Sequence, residues 1–479
     1  MLPLAPARRT ATVVFAALLA SCAQAPFGES PAPLAPAAEA FLDTLQERTF
    51  GYFWHLSDPA TGLTPDRAPS ESFASIAAVG FALTAYPVGV ERGYVARSAA
   101  AARVLATLRF FWEAPQGPEG SGQAGHRGFF YHFLHMRDGT RFETVELSTI
   151  DTALLLGGVL FCEMYFDGAS ADEVAIRAYA DSIYRRVDWT WAQPRPPLVT
   201  MGWYPERGFH HLDWMGYNEA MLLYVLALGS PTHAIDPAAW PRWSSTYTWG
   251  EFEGRSHVGF APLFGHQYSH VWIDFRGIQD AYMRGRGLDY FENARRATLA
   301  QRSYGARNPG GWRDYADSVW GWTASDGPAD VTLTLDGRAR QFFTYRARGA
   351  SYTEIVDDGT IAPTAAGGSI PFAPRETVHA LMAMRRTYGD PLFSTYGFLD
   401  AFNPTFRADV PLQHGRLVPG VGWFDTDYLG IDQGPILLMA ENHRTGLVWK
   451  YMRRHPAIVR GLRRAGFTGG WLDEAPATQ

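Results

Sequence analysis

The chain has 479 residues and a formal net charge of −6, which argues against a nucleic-acid-binding role. Beyond the N-terminal leader, Cys162 is a lone cysteine in an apolar run, so we expect neither a disulfide nor a thiolate metal site. The 16 tryptophans and 22 tyrosines supply many flat aromatic faces, which suit a large core, contacts with sugar rings, or both.

Residues 1–22 have the pattern of a bacterial lipoprotein signal peptide. Arg8 and Arg9 precede an apolar run over 10–20 that is too short to span a bilayer as a mature helix. A Leu-Ala-Ser-Cys lipobox follows, so we expect Cys22 to be lipidated and to become the mature N-terminus. A plain secretory signal with a chance cysteine is the alternative. Ala23, by resemblance to other lipoproteins, favours a periplasm-facing or outer-membrane lipoprotein of a Gram-negative bacterium.

Residues 23–38 are rich in Pro and Ala and predict a flexible tether, and residues 39–475 predict one large domain. Helical periodicity dominates this domain. The predicted helices span 37–55, 72–86, 93–112, 148–166, 170–191, 213–228, 287–304, 375–388, 432–443 and 456–465. Segment 331–345 is strand-like, with a turn signal at Asp336-Gly337. Sequential helices joined by long loops predict an all-α fold of helix hairpins packed in a ring, and an irregular helical domain is the alternative.

The stretch 264–283, FGHQYSHVWIDFRGIQDAYM, concentrates side chains suited to catalysis or sugar binding. His266, His270 and Asp274 lie on one face in either a helical or an extended conformation, with Tyr268 and Arg276 beside them. The spacing of the first three also resembles a metal site. No His-Glu-x-x-His element accompanies it, so we expect no metal and no other cofactor. A structural histidine pair beside an ordinary ion pair is the alternative.

Asp151 and Glu219 are the strongest acid–base candidates, because both lie in apolar helical patterns with leucines at i+3 and i+4. Burial raises the pKa of a carboxyl group unless a cation or a hydrogen-bond donor compensates, which is how a general acid is made. For Asp151, a capping box with Ser148 is an alternative. For Glu219, expected in mid-helix, a buried pair with an arginine is the alternative.

Paired carboxylates flanking a bond are the minimum for glycoside hydrolysis. One protonates the leaving oxygen, and the other activates water or attacks the anomeric carbon. Asp432 and Gln433, at the start of a predicted helix, are further candidates, with a helix N-cap as the alternative. Loops containing Trp203 and Trp423 offer aromatic platforms for sugar rings.

Six motifs are long and specific: ELSTIDTAL from Glu146, GYNEAM from Gly216, LALGSPTH from Leu226, the 264–283 stretch, DGTIAPTA from Asp358 and YLGIDQGP from Tyr428. Together they resemble the glycoamylase-like domain, to which bacterial endo-β-1,2-glucanases of glycoside hydrolase family 144 belong. The resemblance extends over about residues 41–471. It implies an (α/α)6 toroid, hydrolysis of β-1,2-glucan, and an inverting mechanism without a metal. Some relatives release short products such as sophorose, and the older glucoamylase label does not imply activity on starch.

We therefore predict a glycoside hydrolase that cleaves β-glucan, foremost β-1,2-glucan. Glu219 is the better general acid because its helical face is more apolar, and Asp151 or Asp432 would hold the attacking water. The residues predicted to contact the hydroxyls and ring faces of the substrate are Trp203, His266, Tyr268, His270, Asp274, Arg276, Trp423 and Gln433.

Two other functions stay open: a surface glycan-binding lipoprotein without catalysis, and a metal-dependent hydrolase that uses His266 and His270. The expected partners are an oligo- or polysaccharide and, through the lipid anchor alone, a membrane. No nucleic acid is expected, and we expect a monomer.

Overall fold

Helices supply most of the regular structure in the computed structural model, which describes residues 33–335 and 337–475. The helices are α1 Pro36–Leu56, α2 Ile76–Glu91, α3 Arg97–Glu113, α4 Thr149–Tyr165, α5 Ala171–Arg186, α6 Met221–Gly229, α7 Ala239–Ser244, α8 Tyr268–Trp272, α9 Ala281–Arg286, α10 Tyr290–Arg307, α11 Pro363–Gly367, α12 Pro374–Tyr388, α13 Gly430–Arg444, α14 Leu447–Met452, α15 Pro456–Arg464 and α16 Gly470–Glu474. A 3-10 turn, Leu263–His266, precedes α8. The predominantly helical character predicted from periodicity is confirmed, with 43% of the described residues in helices.

The strands are short and form small antiparallel sheets. A five-stranded sheet joins Gly125–His126, Phe129–Tyr131, Leu147–Ser148, Gly202–Tyr204 and Gly208–Phe209 in that order. In a three-stranded sheet, Gly422–Phe424 lies between Phe402–Asn403 and Arg416–Val418. The remaining pairs are Arg67–Ala68 with Tyr428–Leu429, Ala74–Ser75 with Phe133–Leu134, Trp249–Phe252 with Arg255–Val258, Ala324–Ser325 with Arg346–Ala347, Val331–Leu335 with Arg338–Phe342, Gly349–Ala350 with Ile355–Val356, and Phe393–Ser394 with Gly397–Phe398. The strand pair at 331–342 confirms the predicted hairpin.

Several predicted boundaries require correction. The helix predicted over 213–228 begins at Met221, because residues 213–220 form a bridge and turns. Helix α1 begins at Pro36, so the last three residues of the predicted tether are helical. The predicted signal peptide, its lipobox cysteine and most of the tether lie outside the described residues.

Helices α2 and α4, the second of which carries Asp151, cross with their backbones in close contact. A Cβ built on Gly80 would lie 2.3 Å from the Leu154 carbonyl oxygen, and one built on Gly158 would lie 2.2 Å from the Gly80 carbonyl oxygen. Cys162, also on α4, is buried as predicted. Glycine is required at this crossing because the two backbones approach without room for a side chain.

Short strands lead directly into α2, α4 and α13, and this fixes where the first turns of these helices lie. Ser75 and Ser148 end their strands and cap α2 and α4, accepting hydrogen bonds from Ala78 N and Asp151 N. The amide of Gly430, the first residue of α13, donates to the Asp66 carbonyl at 2.7 Å. None of the helices in the described ranges is long and apolar enough to cross a bilayer.

Candidate active site

Asp151, the third residue of α4, is held by a serine and a histidine. Its amide donates to Ser148 Oγ at 3.2 Å, and the Ser148 hydroxyl donates to Asp151 Oδ2. His132 Nε2 lies 3.5 Å from the same carboxylate oxygen, while His132 Nδ1 lies 2.8 Å from Glu146 Oε1. Burial lowers the pKa of His132, but the charges of Asp151 and Glu146 outweigh it and raise the pKa to about 9. An imidazolium ion therefore bridges two carboxylates at neutral pH.

The capping alternative for Asp151 is correct in part. Ser148 does cap the helix, but the Asp151 carboxylate accepts from the serine hydroxyl rather than completing a capping box. Only Oδ2 of Asp151 accepts the serine hydrogen bond, so the other carboxylate oxygen can still accept hydrogen bonds.

Glu219 lies in a turn just before α6, not in mid-helix as predicted, and it is partly buried. Its backbone is fixed by Ser269, whose hydroxyl donates to the Glu219 carbonyl at 2.7 Å and accepts from Leu222 N. Burial raises the pKa of the Glu219 carboxyl to about 7, against a backbone hydrogen bond that lowers it, and the charge of Asp151 adds to the rise. Met215, four residues before Glu219, is exposed.

Asp432 is the third residue of α13, so it occupies the same place in its helix as Asp151 does in α4. It is 3% exposed, and its Oδ2 atom has no hydrogen-bond partner among the described residues. Burial raises its pKa to about 7. A side-chain hydrogen bond with Asp400 lowers the pKa, whereas the charges of Asp326, Asp66 and Asp425 raise it. Asp432 therefore lies in a strongly acidic environment.

Tyr268, on α8, connects these acids. Burial raises its pKa, and the charges of Asp432, Glu219 and Asp151 raise it further, so all three carboxylates lie within electrostatic range of one phenol. Asp66 lies in turn within range of Asp151 and His132. The structure thus brings together four residues that the sequence predicted for the site: Asp151, Glu219, Tyr268 and Asp432.

The histidines of the 264–283 stretch are placed differently from the prediction. His266 and His270 are fully buried. His266 hydrogen-bonds to the Tyr217 hydroxyl and the Phe260 carbonyl, whereas His270 packs edge-on against Phe275 and Phe372. Burial lowers the pKa of both to about 3, so both are neutral. The burial of both histidines fits the structural alternative of a satisfied core pair, but only His266 is hydrogen-bonded, and neither ring nitrogen of His270 has a partner among the described residues.

Asp274 and Arg276 also serve contacts within the protein. Asp274 is buried and accepts charged hydrogen bonds from Arg276 and Arg453. The Arg276 guanidinium lies over the Trp449 ring, 4.2 Å from its centroid. This arrangement corrects the expectation that His266, His270 and Asp274 share a face directed at a ligand.

Three further predicted residues are distributed between core and surface. Trp423 is fully buried, with its indole NH donating to the His414 carbonyl. Gln433 is 1% exposed and donates to the Phe398 carbonyl. Neither position allows direct contact with a sugar in this conformation. Trp203 is partly exposed and stacks on His126, so its predicted role as a sugar platform stays a prediction.

The sequence did not single out several site residues. His132 is the one polar residue in the aromatic run FFYHFL, and Glu146 opens a motif that was already noted. Those two signals could have identified them. Asp66 and the exposed Tyr345 carry no comparable signal, although Tyr345 lies within electrostatic range of Asp432 and Asp66.

Comparison with known proteins shows which family and which solved structures this chain resembles. The glycoamylase family model, described as "Putative glucoamylase", matches residues 211–456. An exo β-1,2-glucooligosaccharide sophorohydrolase (non-reducing end) of Parabacteroides distasonis is 28% identical over 465 residues, which cover 89% of this chain and 58% of the relative. The chain thus spans less than two thirds of that relative's length.

Two solved structures are similar over nearly their whole length. The putative glucoamylase of Bacteroides uniformis has a TM-score of 0.78 at 30% identity, covering 92% of this chain and 100% of its own. The endo-β-1,2-glucanase of Chitinophaga pinensis, solved with sophorotriose and glucose, has a TM-score of 0.76 at 26% identity over the same shares. Together with the family match over half of the sequence, these similarities confirm the resemblance drawn from the motifs, and the chain belongs to the glycoamylase family.

Proposed function

We propose that this protein is a glycoside hydrolase that cleaves β-1,2-glucan. The observation that carries the proposal is Glu219, whose pKa is raised to about 7 beside a second carboxyl group, Asp151. A carboxyl group that keeps its proton near neutral pH can protonate a glycosidic oxygen, and a neighbouring carboxylate can activate water. The names of the similar proteins supply the substrate class.

In this mechanism Glu219 is the general acid, and Asp151 or Asp432 holds the attacking water. Ser148 and His132 orient Asp151, and the imidazolium of His132 offsets its negative charge. Tyr268 lies within range of all three acids and is suited to contact a sugar hydroxyl between them. We further propose an inverting reaction on an (α/α)6 toroid; the similarity to the Chitinophaga pinensis enzyme supports this helical arrangement.

Product analysis on linear β-1,2-glucan tests the proposal. We expect new reducing ends and short β-1,2-linked oligosaccharides, and no products from starch under the same conditions. Chromatography of early products separates release of sophorose from internal cleavage, and NMR of the first-formed anomer reports the stereochemistry. Binding of the glucan without new reducing ends would instead identify a glycan-binding protein.

We also propose that Cys22 carries the lipid anchor, that the domain faces the periplasm or the outer-membrane surface, and that it acts as a monomer. The lipobox supports the anchor. Expression in a Gram-negative host should give a membrane-associated protein, and Cys22→Ala should release it into the soluble fraction. Soluble wild-type protein with a cleaved but unlipidated N-terminus would indicate a plain secretory signal.

A further inference from the structure

Asp326, Asp400 and Asp425 form a buried group of three carboxylates, here called the Asp triad. The exposed fractions of the three residues are 1%, 2% and 1%, and one carboxylate oxygen from each lies within 4.8 Å of the other two. Three separate loops supply them: Asp326 follows the strand Ala324–Ser325, Asp400 precedes Phe402–Asn403, and Asp425 follows Gly422–Phe424. None of the three was predicted as a site residue.

Each triad carboxylate has one oxygen held by a donor and one without a partner. Asp326 Oδ2 accepts from Arg67 at 2.7 Å, Asp400 Oδ2 from Asp326 N at 2.7 Å, and Asp425 Oδ1 from Thr426 N at 2.6 Å. The other three oxygens, Asp326 Oδ1, Asp400 Oδ1 and Asp425 Oδ2, are out of contact with solvent and accept no hydrogen bond in the described part of the chain. Buried anionic oxygens without partners are costly, so these three oxygens are suited to bind a cation.

A further buried carboxyl group, that of Asp432, lies beside the triad. Asp432 belongs to a different element, α13, and its carboxyl group lies against that of Asp400. Its Oδ2 atom is also buried and accepts no hydrogen bond from a donor group among the described residues. This independent carboxyl group adds to the negative charge on the Asp400 side of the triad.

The charge around the triad is unbalanced within the described residues. Arg67 contacts Asp326 at 2.7 Å and lies 3.7 Å from Asp66 and 3.8 Å from Asp427, so its single charge is shared among three carboxylates. Arg348, the other nearby cation, is committed to Asp358. The excess negative charge therefore needs either protons or a cation.

The geometry favours a cation. Ca²⁺ binds oxygen ligands at about 2.3–2.6 Å, so two ligand atoms on opposite sides of it lie about 5 Å apart. The spacing of the triad oxygens is within this limit. The donor atoms are all carboxylate oxygens, which suit hard cations rather than Zn²⁺ or Cu²⁺, and their burial disfavours Mg²⁺, which keeps several waters.

We propose that the Asp triad, with Asp432 at its edge, binds one Ca²⁺ ion. This site differs from the predicted His266–His270 arrangement and does not depend on the proposed hydrolase activity. Because Asp432 lies at its edge, the ion would also favour the carboxylate form of that residue.

Calcium titration of the full chain tests the site. The protein is treated with EDTA, dialysed, and titrated near neutral pH with CaCl₂ and separately with MgCl₂ by calorimetry, with thermal unfolding and elemental analysis in parallel. We expect one Ca²⁺ bound per chain, weaker Mg²⁺ binding, and a rise in Tm with Ca²⁺. Asp425→Asn should weaken Ca²⁺ binding by roughly 10- to 100-fold.

Asp357→Asn is the matched control. The Asp357 carboxylate is partly buried, lies outside the triad, and accepts hydrogen bonds from the Tyr304 and Tyr315 hydroxyls. This variant should leave Ca²⁺ affinity unchanged. If Asp425→Asn does not fold, the wild-type titration still decides the matter. No bound Ca²⁺ and a Tm insensitive to EDTA and CaCl₂ would overturn the proposal. If the protein binds no Ca²⁺ and its Tm rises as pH falls, the triad shares protons instead. The charged and titratable groups around the triad are Asp66, Arg67, Asp427, Asp432 and Tyr345.

Discussion

Glu219 and Asp151 differ in what surrounds their carboxyl groups, and this difference assigns their roles. Glu219 is partly buried, and a backbone hydrogen bond stabilises its charged form only in part, so burial dominates and raises its pKa to about 7. Asp151 accepts from the Ser148 hydroxyl and faces the imidazolium of His132. One environment favours a retained proton, and the other suits a negative charge.

Glu219→Gln should abolish most turnover of β-1,2-glucan while the protein stays folded. Gln keeps the shape of the side chain but cannot donate a proton to the leaving oxygen, so we expect kcat to fall about 10²–10⁴-fold. Reducing-end assays and circular dichroism measure the two effects. The exposed Glu251→Gln is the control and should keep wild-type activity. Wild-type turnover by Glu219→Gln would remove this residue from the acid role.

The pKa of Glu219 also predicts a pH dependence of stability. Its folded pKa of about 7 exceeds the ordinary value of 4.5, so the folded state binds the proton more tightly than the unfolded state does. The associated stability is fully present below the ordinary pKa and is lost as pH rises towards 7. Glu219→Gln removes this loss.

Urea unfolding of wild type and Glu219→Gln across this pH range measures the effect as a difference between two curves. The free energy of unfolding of the variant, relative to that of the wild type, should increase as pH rises. The activity of the wild type should decline above about pH 7 as the acid loses its proton. Parallel stability curves would show that the pKa of Glu219 is not raised.

At the scale of elements, the crossing of α2 and α4 positions the first turns of both helices. Gly80 and Gly158 allow the backbones to touch, and strands that end at Ser75 and Ser148 lead into the two helices. Asp151 therefore depends for its position on a helix contact that has no room for a methyl group.

Gly80→Ala should destabilise the fold. The added methyl would meet the Leu154 carbonyl at 2.3 Å, and overpacking of this kind costs about 1–3 kcal/mol or more of unfolding free energy. Gly285→Ala on α9 is the matched control, because its Cβ meets nothing within 4 Å, and it should be neutral or stabilise by up to about 1 kcal/mol. Urea denaturation compares the two, and equal effects would contradict the close approach.

At the scale of the whole molecule, the buried pair Arg348–Asp358 joins distant loops beside the Asp triad. Arg348 donates to both Asp358 oxygens at 2.8 Å and to the carbonyls of Ser325 and Phe343. The residues are 1% and 0% exposed at the side chain. The pair thus holds together the loop that carries Asp326 and the segment that carries Asp358.

Arg348→Met should cost about 3–5 kcal/mol of unfolding free energy, because it leaves the Asp358 charge buried and unpaired. Arg313→Met, which removes an exposed arginine 3.8 Å from Asp314, should change stability by less than about 1 kcal/mol. Chemical denaturation of both variants provides the measurement. A small loss for Arg348→Met would mean that Asp358 finds another donor or a proton.

The sequence by itself determined most helices and three of the acids. Periodicity and caps are local properties, so α1, α4, α12 and α15 lie close to their predicted ranges. Ser170 caps α5, but this helix ends at Arg186 and not at residue 191 as predicted. Asp151 and Glu219 were predicted because carboxylates in apolar patterns are conspicuous in sequence, and Asp432 was predicted because it lies at the start of a predicted helix.

Only the tertiary structure decided which polar residues meet. His266 and His270 looked like ligand residues in sequence, but packing buries them among aromatic rings. Asp326 and Asp400, 74 residues apart, looked like loop residues, yet folding places the Asp400 carboxylate on the Asp326 amide. Neighbouring residues reveal a helix because its hydrogen bonds are local, whereas a buried cluster of charge depends on contacts between distant segments, which local pattern does not encode.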